Sequence, residues 1–169
     1  MKYTNLVLTG IMGSGKTTVG KLLSAKLNMI FVDTDELIEK KYGKIPELFK
    51  KSEDYFRELE HRVVLEVSEM DGAVIATGGG VVKRKDNMAA LKRKGIVFFL
   101  DRPLENILSD IEISKRPLLK DCKNKLAEIY RERYPMYTES CDVHIKNTSD
   151  PENTVSEIIE HWTKLSRNP

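Results

Sequence analysis

The chain predicts an α/β fold, a parallel sheet covered by helices on both faces. Two observations carry this. Segments of strand and helix character alternate along the whole 169-residue sequence. The apolar strands are short and unalternating, as strands buried on both faces are. A third observation narrows the class: a glycine-rich turn joins the first strand to the first helix, the arrangement of a phosphate-binding sheet.

Residues 3–9 (YTNLVLT) read as the first strand, and Gly10 opens the turn. Residues 16–27 place Val19, Leu22, Leu23 and Leu27 at helical spacing. Residues 30–33 (IFVD) form a short buried strand, followed by helical pieces near 34–41 and 45–51 around Gly43. A long helix over 53–70 carries the stripe Phe56, Leu59, Val63, Val67 and Met70. Residues 73–77 are a third strand, ended by Gly78-Gly79-Gly80. A helix near 85–94 leads to a fourth strand at 96–100, then a helix at 103–111 and a polar stretch to about 121. A helix over 123–137 presents Leu126, Ile129 and Tyr130 on one face, with Pro135 expected to kink its end. A last strand at 142–145 precedes a helix at 151–166, N-capped by Asp150, with Pro151 at its first position. The length suits one domain, residues 1–169.

Composition excludes several classes. Twenty-eight basic against 26 acidic residues leave a net charge of +2, so nothing calls for nucleic acid. The runs Lys83-Arg84-Lys85 and Lys92-Arg93-Lys94 read as solvated helix faces. Cys122 and Cys141 form no CxxC and are expected to be reduced, and His61, His144 and His161 have no metal-ligand spacing. No secretory leader pattern opens the chain, and no apolar run approaches ~18 residues. The expectation is a cytoplasmic protein without a membrane partner.

Gly10-Ile11-Met12-Gly13-Ser14-Gly15-Lys16-Thr17 fits the P-loop pattern G-x-x-x-x-G-K-[ST], between a strand and a helix as that motif requires. Its backbone N–H groups and the helix N-terminus point at an anion. Lys16 supplies positive charge for the β- and γ-phosphates, and the Thr17 hydroxyl suits Mg²⁺. Gly13, Ser14, Gly15, Lys16, Thr17 and Thr18 are therefore candidate nucleotide contacts. A guanine reader Asn-Lys-x-Asp is missing, since Asn124-Lys125-Leu126-Ala127 lacks the Asp.

Asp33 and Asp35 follow the second strand at its carboxyl end, where open α/β sheets bind ligands. Read alone, Asp33 ends a strand and Asp35 starts a helix. Read with the P-loop, one holds Mg²⁺, directly or through water, and the other orients an acceptor hydroxyl and takes its proton.

Nineteen lysines stand against nine arginines, so arginine marks places that need its planar fork. Arg57 borders the stripe of its helix, with Glu60 one turn away. Arg133 lies seven residues after Leu126, in line with an apolar face, and an inward charge needs an anion, from protein or substrate. Arg116 sits in the polar stretch 112–121, a candidate lid over a phosphate site. Gly78-Gly79-Gly80 ends a strand at the same sheet edge and lets a ligand approach the backbone.

The ordered set GIMGSGKTTVGKLLSAKL, FVDTDELIE, EDYFRELE, ATGGGVV, KRPLL and RERYPMY resembles the shikimate kinase family over roughly residues 5 to 160. The resemblance implies a P-loop three-layer sandwich with strand order 2-3-1-4-5, a substrate-binding region about 34–62 and a lid about 112–122. It implies transfer of the ATP γ-phosphate to the 3-hydroxyl of shikimate, on the route to aromatic amino acids. By that similarity Asp35 engages the accepting hydroxyl as base, and Thr17 and Asp33 hold Mg²⁺. Arg57 and Arg133 clamp the shikimate carboxylate beside Gly79 and Gly80, while Lys16 and Arg116 stabilise the transferring phosphoryl group. The loop from Asn147 to Pro151 borders the adenine, and the chain is expected to be a monomer.

Two departures stand out. Ser52 takes the place of the family's usual Gly before Glu53. Family members often carry an adenine-stacking arginine before the lid, where this chain has Leu108-Ser109-Asp110-Ile111, and Arg102 is expected to lie too far away to substitute. The nearest rivals are a P-loop kinase acting on gluconate or a nucleoside monophosphate, and a nucleotide-binding module without kinase activity. The distinctive substrate-side motifs of the two rival kinases do not occur in the sequence, and a module without kinase activity could lose Asp35 or the arginines, which occur together here.

Overall fold

A computed structural model describes residues 3–114, 119–148 and 150–167, excepting the side chains of 111–114 and 119–122. Five strands, β1 (Asn5–Thr9), β2 (Ile30–Asp33), β3 (Ala73–Ala76), β4 (Gly95–Asp101) and β5 (Val143–Lys146), form one sheet in the order β2-β3-β1-β4-β5. Every pairing is parallel. The helices are α1 (Lys16–Leu27), α2 (Thr34–Tyr42), α3 (Ile45–Lys51), α4 (Glu53–Ser68), α5 (Lys85–Lys94), α6 (Leu104–Ser114), α7 (Leu119–Ser140) and α8 (Pro151–Arg167).

Alternation along β1 shows how the layers form. Leu6 and Leu8 point to one face, where Val19 and Leu23 of α1 and Val155, Ile158 and Trp162 of α8 cover them. Val7 points to the other, into a core built with Ile38 of α2, Phe56, Leu59 and Val63 of α4, Leu91 of α5 and Tyr137 of α7. All three β1 side chains are fully buried, and burying each stabilises the fold by about 1.5–3 kcal/mol.

Helix starts follow local chemistry. Asp33 N-caps α2 by accepting from the backbone N–H groups of Asp35 and Glu36. The Ser52 hydroxyl accepts from the Tyr55 N–H and caps α4, so the residue that replaces the family's glycine starts that helix. Asp150 accepts from the Glu152 N–H at 2.8 Å ahead of α8.

Two differences from the sequence reading concern α7. It begins at Leu119 rather than 123, and it continues past Pro135 to Ser140 instead of ending there. Lys83, read with Arg84 and Lys85 as a solvated helix face, instead ends a 3-10 turn over Val81–Lys83.

Candidate active site

The topology fixes the site. β1, β2 and β3 end side by side, with Leu8 paired to Ala76 and Ala76 paired to Asp33. The P-loop, the acidic pair and the triple glycine therefore emerge along one sheet edge.

Gly15 N-caps α1 with φ 93°, a left-handed conformation that only glycine takes freely. Lys16 folds back over the loop and donates to the carbonyl oxygens of Gly10 at 2.6 Å and Ile11 at 2.9 Å. Burial pulls the Lys16 ammonium down to about 8, against the opposing pull of Asp35 and Asp33. The Thr17 hydroxyl donates to Asp33 Oδ2 at 2.9 Å, while Asp33 Oδ1 accepts from the Asp35 N–H at 3.0 Å. The Thr17 hydroxyl and the Asp33 carboxylate thus stand together as hard oxygen donors, a set that fits Mg²⁺. Among the described residues no group of three or more His, Cys, Asp or Glu side chains is arranged for a metal.

A cavity of about 430 Å³ lies over this loop, lined by Gly13, Gly15, Lys16, Thr17, Thr18, Asp33 and Asp35 among others. Ser14 is turned away from it, fully buried, with its hydroxyl 3.4 Å from the Lys16 ammonium nitrogen. A hollow of about 230 Å³ continues the cavity through shared Gly15, Thr18 and Arg102 to Asn106, Asn147, Thr148 and Pro151.

Arg102, expected to lie too far from the base to substitute, stands beside the P-loop. It donates to the Gly13 carbonyl oxygen at 2.9 Å and pairs with Asp110 at 2.7 Å. β1 and β4 are neighbours, Thr9 facing Phe99, so residues just past β4 arrive beside the P-loop. Asn147 braces the same loop from β5, donating to the Ser14 carbonyl oxygen at 2.7 Å and accepting from the Thr154 hydroxyl at 2.8 Å.

A second cavity, of about 500 Å³, opens on the other side of Asp35. Arg57 and Arg133 both line it, with Glu60 and the three glycines 78–80. Arg57 Nη1 donates to Glu60 Oε2 at 2.8 Å, and its guanidinium lies over the stacked rings of Phe49 and Phe56. A Cβ at Gly80 would overlap the Arg57 guanidinium where it lies, so that placement depends on glycine there. Burial raises the Glu60 carboxyl above the ordinary range, with Arg57 opposing it. Two buried polar atoms, Glu60 Oε1 and Arg133 Nε, lack a hydrogen-bond partner among the described residues. One is an acceptor and the other a cationic donor, and such atoms are costly to leave unmatched.

Met12, Asp35 and Gly79 line both large cavities. Asp35 therefore stands at their junction. Burial raises its carboxyl above the ordinary carboxylate value, Asp33 raises it further, and Lys16 and Arg57 pull it back.

The structure thus brings Lys16, Thr17, Asp33, Asp35, Arg57, Gly79, Gly80 and Arg133 around adjoining spaces. Arg116 lies outside the described residues, as do the side chains of the expected lid at about 112–122. Lys83 was expected on a solvated face, yet it lines the acidic and arginine-rich cavity and pairs with Glu53 at 2.8 Å. Tyr137 was not singled out either. It is buried, it donates to the Gly79 carbonyl oxygen, and burial pushes its hydroxyl up to about 12. Its position four residues past Arg133, on the same face, was the available signal.

Comparison with known proteins agrees with this geometry. A family profile described as shikimate kinase matches residues 12–163. A shikimate kinase of Clostridium botulinum strain Alaska E43 is 45% identical over 162 residues, 95% of this chain and 96% of that one. The solved shikimate kinase of Acinetobacter baumannii in complex with shikimate superposes with a TM-score of 0.88 at 33% identity, covering 98% and 96% of the two chains. That of Aquifex aeolicus gives 0.84 at 38% identity, covering 98% and 99%. A gluconokinase of Sinorhizobium meliloti shares the fold alone, with a TM-score of 0.66 at 12% identity over 98% and 95% of the chains. On profile, sequence and structure together, the chain belongs to the shikimate kinase family.

Proposed function

We propose that this chain transfers the γ-phosphate of ATP to the 3-hydroxyl of shikimate, giving shikimate 3-phosphate and ADP. Family membership makes it an ATP-using phosphotransferase. The observation that carries the specific reading is the meeting of two chemically distinct cavities at Asp35. One is a phosphate cradle. The other offers two guanidinium groups, a buried carboxyl and an apolar wall, which suit a small molecule with a carboxylate, hydroxyls and a ring face.

Phosphoryl transfer needs alignment and charge neutralisation more than covalent chemistry. The loop amides and Lys16 hold the β- and γ-phosphates. Thr17 and Asp33 hold Mg²⁺, which when bound neutralises charge on the phosphate oxygens. Arg57 and Arg133 bind the shikimate carboxylate and orient the ring across Phe49 and Phe56. Asp35 orients the accepting hydroxyl and takes its proton. Arg116, from about 112–122, adds charge at the transferring group. Elements across 34–62 supply the acceptor wall, and Asn147 to Pro151 with Arg102 border the base. We assign the protein to the cytoplasm as a monomer, in aromatic amino acid biosynthesis. No described helix is long and apolar enough to cross a membrane.

The test is ADP release measured with shikimate, gluconate and a nucleoside monophosphate as separate acceptors. Turnover that depends on shikimate and exceeds the others by at least about 100-fold is expected, since an acceptor whose charged group and hydroxyls do not sit where the shikimate ring holds them leaves the site's buried polar groups unpaired. Preference for another acceptor, or tight ATP binding with no acceptor-dependent turnover, contradicts the proposal.

A further inference from the structure

Asp101 ends β4 and lines none of the three cavities just described. Its carboxylate nevertheless gathers three side chains from two elements. Tyr134 of α7 donates to Oδ2 at 2.8 Å and Tyr130 of α7 donates to Oδ1 at 3.2 Å. Nε2 of His144, on β5, also meets Oδ2 at 2.8 Å. An ionised carboxylate only accepts, so all three are donors to it. Phe99 floors the cluster, edge-on to Tyr134 at 5.6 Å and stacked under Tyr137 at 5.0 Å.

Tyr130, Tyr134 and Tyr137 recur at helical spacing and tie one face of α7 to the sheet edge. Arg133 sits among them, three residues past Tyr130 and four before Tyr137, and lines the second cavity. Apolar packing alone lets a helix slide or rotate between nearly equivalent positions, whereas two hydroxyls on one carboxylate fix both its height and its rotation. A displacement of about 1 Å in a substrate-binding group is enough to impair a reaction strongly.

We propose that Asp101 is a positioning residue for the acceptor: by holding Tyr130 and Tyr134 it sets the rotation of α7, and so the aim of the Arg133 guanidinium into the second cavity. The inference rests on reading that cavity as the shikimate site. Asp101 touches neither substrate and acts through Arg133.

Asp101→Asn tests this. Its amide keeps the size but loses the charge and one acceptor, so the shikimate KM rises about 10-fold while the ATP KM stays within about twofold. If Asp101 works through Arg133, adding Asp101→Asn to Arg133→Ala changes the shikimate KM by less than about twofold. The double variant Tyr130→Phe/Tyr134→Phe reproduces the KM split with the carboxylate in place, and it decides the question if Asp101→Asn does not fold. An unchanged shikimate KM, equal rises in both KM values, or a full 10-fold effect of Asp101→Asn persisting without Arg133 overturns the inference. Wild-type protein that fails to turn over shikimate overturns the acceptor reading and this inference with it. Normal wild-type turnover beside an indifferent Asp101→Asn overturns the inference alone.

Discussion

Asp35→Asn lowers kcat by about 10²- to 10⁴-fold, the usual contribution of a positioned general base, and leaves ATP affinity within about twofold. Asn keeps the side-chain volume and one acceptor oxygen but cannot take a proton at neutral pH. The variant therefore separates chemistry from packing. The Asp35 carboxyl is held above its ordinary value, first by burial and then by Asp33. Its pH signature follows. kcat/KM of the wild type rises with pH through that raised value, and the residual activity of Asp35→Asn lacks this limb.

The stability side has a definite sign. A carboxyl whose folded value lies above its unfolded value binds protons more tightly in the folded state. Stability is then lost as pH rises from the unfolded value through the folded one, so ionised Asp35 burdens the fold at neutral pH. Removing the charge leaves Tm equal or higher while activity collapses. Steady-state ADP release, calorimetric ATP titration and a melting curve measure the three effects. Full activity removes Asp35 from the reaction, and a lowered Tm with lost ATP binding makes its role structural.

Arg133→Ala raises the shikimate KM by ~30-fold or more and moves the ATP KM by less than about threefold. The lower bound comes from about 2–5 kcal/mol for truncating one partner of a buried charged contact. Arg133 lines the second cavity and not the phosphate cavity, so the effect is confined to one substrate. Arg133→Lys recovers little, because an ammonium cannot reproduce the planar two-pronged grip on a carboxylate. Initial rates across a grid of both substrates give the two constants. Equal changes in both argue against a substrate clamp.

The sheet was legible because its strands are short apolar runs and its helices carry clear stripes. The P-loop carries its own signature, and strand ends locate the acidic pair and the triple glycine on one edge. What the sequence hid depends on tertiary contact. The first turn of α7, Leu119-Lys120-Asp121-Cys122, has no apolar period that distinguishes it from a loop. Arg102 is 86 positions from Lys16 along the chain and becomes its neighbour only because β4 lies beside β1. Lys83 reads as one of a run of surface cations until the turn after Gly80 directs it to the second cavity. Asp101 looks like an ordinary strand end. Only the docking of α7 gives it two tyrosine hydroxyls. Arg133 stands out in the sequence because a charge in line with an apolar face needs an anion.

The central claim is that one carboxylate serves two cavities. A crystal structure with shikimate and a non-hydrolysable ATP analogue bound together measures it most directly. The claim predicts an Asp35 carboxylate oxygen about 2.6–3.2 Å from the shikimate hydroxyl that faces the γ-phosphate, with the shikimate carboxylate on Arg57 and Arg133. Shikimate seated with its carboxylate toward Lys16, or with no hydroxyl near Asp35, contradicts it.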